Sequence, residues 1–507
     1  MPKRSLLSLS ENTRIVLRDL GLVVQIVWMM ALLSLPVALS FREFYALAPL
    51  LITAGVSLAL GMGLYWGFRR AGETTLRQAM VVAALGWLLV SAIGGLPFYL
   101  IARALAAQGE ATQTMLYFLN PLHALFESIS GYTGTGLTVT FRPSELPRTL
   151  QWWRSFAQWI GGVGVIVLML SIIGSPGSRT FSLYAAEARS ERIYPSVYST
   201  VRTIRWIYLL YTLASVLLLR SVGMPLWEAI NHAMTGIATG GFTVVDGSIR
   251  FYKSLKIELA LLPIMVFGAI SFAVHYEMLR RHDPRPLARD PQTRWLFLLL
   301  MVGSLALAGE NLLQLRFEPL TALRAAGFQF FSALTCTGFQ TGEVHSWSPT
   351  AKLILAGAMV LGGAAGSTAG GVKLIRAIVL IKGVSWRLRR LIALPHVLVR
   401  FQIGGHSFTD EEAVQRLVDA ALLMTLWSLF LGVGVIVLLH TAPPGYGLSD
   451  IIFEVASAQG NVGLSTGITG PTMAPLAEVV LCFNMWIGRL EIIPVLLFLR
   501  ALLRGLE

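Results

Sequence analysis

Four segments of this chain carry the same glycine: TGTGLT at 133–138, ATGGFT at 238–243, TCTGFQ at 335–340 and GNVGLS at 460–465. Aligned without gaps, each has glycine in fourth place (Gly136, Gly241, Gly338 and Gly463), then Leu or Phe, then a small or polar residue. The two residues ahead of it differ from segment to segment: Gly134 and Thr135, Thr239 and Gly240, Cys336 and Thr337, Asn461 and Val462. Side-chain ligands for one substrate would not vary in this way, whereas backbone carbonyls are the same whatever the side chain. Rings of carbonyls can replace the hydration shell of a cation. Aiming successive carbonyls at one axis needs backbone conformations that side chains disfavour, and glycine supplies them. The four segments therefore form a candidate cation site.

The elements around them fit that chemistry. Each glycine segment follows about ten residues of helical character (PLHALFESIS, PLWEAINHAM, LRAAGFQFFS and LSDIIFEVAS) and precedes a long apolar run. A helix of that length is too short to span a bilayer, so a half-helix dipping into the membrane is expected. Its partially negative C-terminal end would then face the cation. Apolar runs at about 20–40, 46–67, 79–105, 152–174, 206–222, 256–279, 295–315, 350–381, 416–440 and 473–503 read as ten spans. Arginines at 69, 70 and 77, at 280, 281, 285 and 289, and at 387, 389 and 390 follow even-numbered spans, which puts those loops and both termini in the cytoplasm. MPKRSLLSLSENTR reads as a cytoplasmic tail, and the glycine segments fall on the outer side. Glu145, Asp246 and Glu343 near the outer mouth either concentrate cations or are ordinary solvated loop charges.

The predicted fold class is an all-α polytopic membrane protein with four pseudo-symmetric helix–pore-helix–loop–helix repeats around one pore. The repeats are drawn at 77–178, 179–290, 291–400 and 401–507, after a tail and an additional helix pair at 1–76. The eighth run is interrupted by GGAAGSTAGG at 362–371. A helix through it would lose roughly 1 kcal/mol for each interior glycine. An intramembrane gate loop of Gly362, Gly363, Gly366, Ser367, Thr368, Gly370 and Gly371 is expected below the ion site, with the two hydroxyls satisfying exposed backbone groups. Arg489 is the most conspicuous charge within an apolar run. It either faces that loop as a barrier to cations, pairs with Glu491, or snorkels. Lys373 and Arg376 read as anchors at the cytoplasmic end.

Composition limits the alternatives. With 55% hydrophobic and 13% charged residues and a mean hydropathy of +0.67, the chain belongs in a lipid bilayer. Its net charge of +13 sits in short loops, which suits membrane orientation rather than nucleic acid. Cys336 and Cys482 are too few for a disulfide framework. His123, His232, His275, His345, His396, His406 and His440 have no metal-ligand spacing. The chain therefore reads as a transporter and not an enzyme, with no organic cofactor.

The glycine segments, WWRSFAQWIGGVGVIVLML at 152–170, FGAISFAVHYE at 267–277, GGAAGSTAGGVKLIR at 362–376 and IGRLEIIPVL at 487–496 resemble the Trk/Ktr/HKT superfamily of potassium and sodium transporters. The resemblance runs from about residue 77 onward, and the additional N-terminal pair is similar to the bacterial TrkH branch. It implies potassium as substrate, taken up across the inner membrane through a gated channel-like pore. It also implies a homodimer regulated by a cytosolic nucleotide-binding TrkA-type ring. Filter positions fall on Gly136, Gly241, Gly338 and Gly463, and the gate-facing arginine on Arg489. Glycine in the first loop is similar to potassium-selective members, since sodium-selective relatives often carry serine there. Sodium transport, or symport of potassium with protons or sodium, is the alternative within the same fold. Two departures stand out: GNVGLS lacks the threonine before its glycine, and ATGGFT has two glycines that allow a one-residue slip.

Overall fold

A computed structural model describes residues 10–164, 197–314, 318–394 and 399–505. The first nine residues of the expected tail, the part of WWRSFAQWIGGVGVIVLML and of the fourth span beyond Gly164, the repeat boundary at 178/179 and His396 lie outside the described residues. The chain is mostly helical. Among the described residues, six helices are long and apolar enough to cross a membrane: Glu11–Ser40, Phe44–Gly67, Leu76–Gln108, Thr200–Ser221, Pro291–Gln314 and Asp410–Thr441. Their outer faces suit lipid rather than water: Leu213, Leu217 and Leu305 are each about 60% exposed.

Ten continuous spans are not what forms. Leu255–Ala269 and Phe272–Arg281 meet at 105°, and Pro475–Arg489 and Ile493–Arg504 at 115°. The sixth and tenth runs are thus two helices each, and the leading one, at 1.5 Å per residue, is too short to cross about 30 Å of hydrocarbon. The eighth is split as expected, into Pro349–Leu361 and Leu374–Ile392. Long-range bonds cause the first of these breaks. Ala269 O accepts from Ala364 N at 2.9 Å, and Phe272 N donates to Gly366 O at 3.0 Å, so the chain exchanges helix bonds for bonds to the glycine strip.

The first span starts earlier than its apolar run, at Glu11, so residues 11–14 of the expected tail and residues 15–19 ahead of the run are helical. Arg18 and Asp19 are buried there because they neutralise each other at 2.8 Å, and Arg18 also donates to Ala71 O and Gly72 O. The first two helices cross where Gly21 and Gly61 meet: a β-carbon on Gly21 would lie 2.7 Å from Gly61 O. One element departs from all-α. Phe401–Ile403 pairs antiparallel with His406–Phe408 through Gly404 and Gly405, both at positive φ. This hairpin packs on Trp386, whose indole donates to Val399 O.

The four half-helices are Pro121–Thr133, Leu226–Ile237, Pro319–Leu334 and Leu448–Gln459. Proline in the first turn of the first and third starts each without costing a helix bond. The return helices after the glycine segments are Arg148–Val163, Leu255–Ala269, Pro349–Leu361 and Pro475–Arg489.

Candidate functional site

Each half-helix ends in the same way. The third residue of the glycine segment donates its amide to a carbonyl five residues back: Thr135 to Ser130, Gly240 to Thr235, Thr337 to Ser332 and Val462 to Ser457, all at 2.8–2.9 Å. These bonds satisfy carbonyls that the last helical turn would leave bare. They also turn the chain, placing the second residue in the left-handed region: Gly134 φ 69°, Thr239 52°, Cys336 56° and Asn461 52°. Three of these four are not glycine, and such strain persists only where the surroundings dictate the backbone. The fourth-place glycines are also at positive φ, between 74° and 91°.

The four segments close into a ring. A β-carbon on Gly136 would lie 2.1 Å from Gly240 O, one on Gly241 2.1 Å from Thr337 O, one on Gly338 1.9 Å from Val462 O, and one on Gly463 2.3 Å from Thr135 O. Each glycine therefore abuts the third-place carbonyl of the next segment, in one cyclic order. Gly241, rather than Gly240, occupies this position in the second segment. The threonine hydroxyls are engaged sideways: Thr135 with Thr133 at 2.7 Å and with Asn461 Nδ2 at 2.9 Å, Thr337 with Thr335 at 2.8 Å. The backbone is what the four segments share.

The ring is not uniform. Gln158 donates to Gly240 O at 2.6 Å and accepts from Phe242 N at 3.0 Å. Met265, Met359 and Met485 stand at the same place in the other return helices.

Several supporting residues were not singled out from the sequence. Ser130, Thr235, Ser332 and Ser457 all lie six residues ahead of their glycines, a signal available by extending the alignment backward. Ser130 Oγ accepts from Gly136 N, and Ser457 Oγ from Gly463 N, each at 3.0 Å. Three residues further back are Glu127 and Glu454, both fully buried. Glu127 accepts from the Thr138 and Thr140 hydroxyls, the Val139 amide and Arg154 Nε at 2.7 Å, and Arg154 continues to Thr243 O of the second segment. Glu454 accepts instead from Ser465, Thr466 and Thr469. Breaking the Glu127–Arg154 pair would strand a buried charge. Arg154→Met is expected to cost about 3–5 kcal/mol, read as a lowered midpoint of thermal unfolding in detergent; an unchanged midpoint would contradict this assignment.

The acidic residues of the mouth tie loops together. Asp246 accepts from the Ser144 amide and hydroxyl, joining the first two loops, and Glu343 pairs with Arg250, joining the second and third. Glu145 accepts from the Thr114 hydroxyl and faces Arg142, which hold its carboxyl below the usual range despite its partial desolvation.

The glycine strip runs along the ring at the C-terminal ends of the half-helices. Thr368 Oγ1 lies 3.0 Å from Ile237 O, 2.7 Å from Gly268 O and 3.2 Å from Thr239 Oγ1, so it touches the second segment directly. Gly371 N donates to Gly460 O at 3.0 Å, and a β-carbon on Gly370 would lie 2.0 Å from that same oxygen. Gly362, Gly366 and Gly371 have positive φ, and Gly363 packs against Ala369. Ser367 Oγ donates to Ala364 O within the strip.

Arg489 reaches the strip. It donates to Thr368 O at 3.2 Å and to Gly161 O of the first return helix, with its guanidinium 5.4 Å from the Trp87 ring centre. Glu491 pairs with Arg376. Arg376 and Lys373, expected as anchors, instead bond to Val372 O and Ala369 O and hold the strip's end. Cys336 and Cys482 are both free and buried. Among the described residues no cluster of His, Cys, Asp and Glu could hold a metal ion.

Residues 50–504 match the TrkH family, described as cation transport protein. A relative in Methanocaldococcus jannaschii, described as an uncharacterized cation transporter, is 33% identical over 430 residues, covering 84% of this chain and 83% of the relative. The Trk system potassium uptake protein TrkH of Escherichia coli is 29% identical over 456 residues, covering 87% and 89%. The crystal structure of the potassium transporter TrkH from Vibrio parahaemolyticus superposes with a TM-score of 0.81 at 27% identity, covering 96% of this chain and 98% of that one.

Proposed function

The chain belongs to the TrkH family of cation transport proteins, and on that premise we propose that it takes up potassium through a gated pore whose selectivity filter is the ring of four glycine segments. The observation that carries this reading is the cyclic contact of each fourth-place glycine with the next segment's carbonyl. Such a ring can present backbone oxygens to a dehydrated cation. The filter residues are Gly134, Thr135 and Gly136, Thr239, Gly240 and Gly241, Cys336, Thr337 and Gly338, and Asn461, Val462 and Gly463. Four pseudo-symmetric units, bounded at 77–178, 179–290, 291–400 and 401–507, surround them, with residues 1–76 as an additional helix pair.

The strip at 362–371 is the gate. It is anchored at Thr368 and Gly371 to the bases of two filter segments, so conduction requires it to move aside, and Arg489 ties it shut. Uptake is driven by the membrane potential, about 2.3 kcal/mol per charge per 100 mV. In this reading the chain sits in a bacterial inner membrane with both termini cytoplasmic, forms a homodimer, and answers to a cytosolic nucleotide-binding ring of the TrkA type. It performs no enzymatic chemistry.

Rubidium uptake into proteoliposomes, with and without the regulatory partner, tests the proposal. Uptake that exceeds sodium uptake is expected. Liposomes that take up neither ion would refute transport through this ring, and faster sodium uptake would make sodium the substrate.

A further inference from the structure

The first turns of the return helices carry a second ring that the glycine alignment does not reveal. The fourth residue of each return helix is polar and makes a hydrogen bond or ion pair with the half-helix of the next unit. Gln151 Oε1 accepts from Trp227 Nε1 at 2.8 Å. Glu258 accepts from Arg324 Nη2 at 2.7 Å and from Arg324 Nε at 2.8 Å. Lys352 Nζ lies 2.6 Å from Asp450 Oδ1, and Glu478 lies 2.9 and 3.1 Å from His123 Nδ1. The four partners stand thirteen or fourteen residues ahead of their own glycines. The cyclic order is that of the carbonyl ring, first unit to second, second to third, third to fourth and fourth to first.

We infer that these four contacts are clamps that fix the lateral position of the half-helices and hence the width of the ring, making Gln151, Glu258, Lys352 and Glu478 positioning residues for ion selectivity. The inference rests on the reading of the ring as a cation filter. Gln151, Glu258, Lys352 and Glu478 are 1%, 6%, 5% and 0% exposed, so each contact desolvates a polar or charged group. Buried ion pairs are poor sources of net stability, and their best-attested role is to fix register. The chemistry also differs at every junction (an amide with an indole, a carboxylate with a guanidinium, an ammonium with a carboxylate, a carboxylate with an imidazole), while the place is the same. Packing alone would not demand polarity at this site four times. From clamp to C-terminal end each half-helix is a lever of about 15 Å. A small shift at the clamp therefore tilts the end that sets the carbonyl contacts.

The test is the ratio of rubidium to sodium flux in proteoliposomes of the full chain. Glu258→Gln, Lys352→Met and Arg324→Met are expected to keep conducting while the ratio falls about tenfold, equivalent to about 1.4 kcal/mol of discrimination. Lys352→Arg, which keeps the charge, is expected to hold the wild-type ratio. Arg324 is the more exposed partner, its side chain 42% accessible, so its variant reads the clamp where a buried substitution fails to assemble. Variants that conduct with the wild-type ratio would overturn the clamps and leave the filter reading intact. A wild-type protein that carries neither ion would overturn both.

Discussion

Gly338→Ala is expected to remove most rubidium flux, a loss of at least tenfold, from a protein that still assembles. The added methyl would lie 1.9 Å from Val462 O, a backbone atom that no rotamer change can move. Gly338 also has φ 82°, where an L-residue pays about 1–2 kcal/mol. Overpacking adds about 1–3 kcal/mol more. The ring must relieve this by opening at the third-to-fourth junction, which displaces two neighbouring carbonyls together. Two glycines supply the contrast. Gly327, in the third half-helix, and Gly357, in the third return helix, have nothing within 4 Å of an added β-carbon. Alanine at either is expected to leave flux unchanged and to favour the helix by up to about 1 kcal/mol.

Arg489→Ala is expected to act in the opposite direction, raising flux through the chain alone about tenfold or more. Two effects add. The guanidinium bonds the strip at Thr368 O and the first return helix at Gly161 O, so its loss frees the strip on one side. Its charge also opposes a passing cation: at an effective dielectric near 20, like unit charges about 4 Å apart repel by about 4 kcal/mol, and by less as they separate. Rubidium uptake by the purified variant without partner is the measurement, and flux at or below wild type would contradict a closing role. Arg376 and Glu491 provide a comparison, since their pair holds the end of the strip without contacting Thr368.

The parts of this architecture that were legible in the sequence are those written locally. Half-helices announce themselves by length, the glycine segments by repetition, and the eighth run by a cluster of glycines that no helix accommodates. The breaks at 270–271 and 490–492 were not legible, because hydropathy runs through both. The first depends on bonds to Ala364 and Gly366, nearly a hundred residues away, and the second places Glu491 and Ile492 at positive φ without any glycine. Arg376 and Lys373 illustrate the same limit. A cation near a span end reads as an anchor until the distant Glu491 supplies its partner. The helical start at Glu11 was hidden for a related reason, since Arg18 and Asp19 look solvated until each neutralises the other. The clamps were hidden because alignment by residue type discards Gln151, Glu258, Lys352 and Glu478 as unrelated. In the fold four chemistries occupy one place.

The proposed role of the ring of glycine-to-carbonyl contacts is that of both path and selector of the ion. It is tested most directly by measuring rubidium and sodium uptake side by side in proteoliposomes of wild type, Gly338→Ala and Gly327→Ala. Rubidium-selective uptake is expected from wild type and from Gly327→Ala, with loss of flux or of selectivity confined to Gly338→Ala. Wild-type rate and selectivity in an assembled Gly338→Ala protein would contradict it.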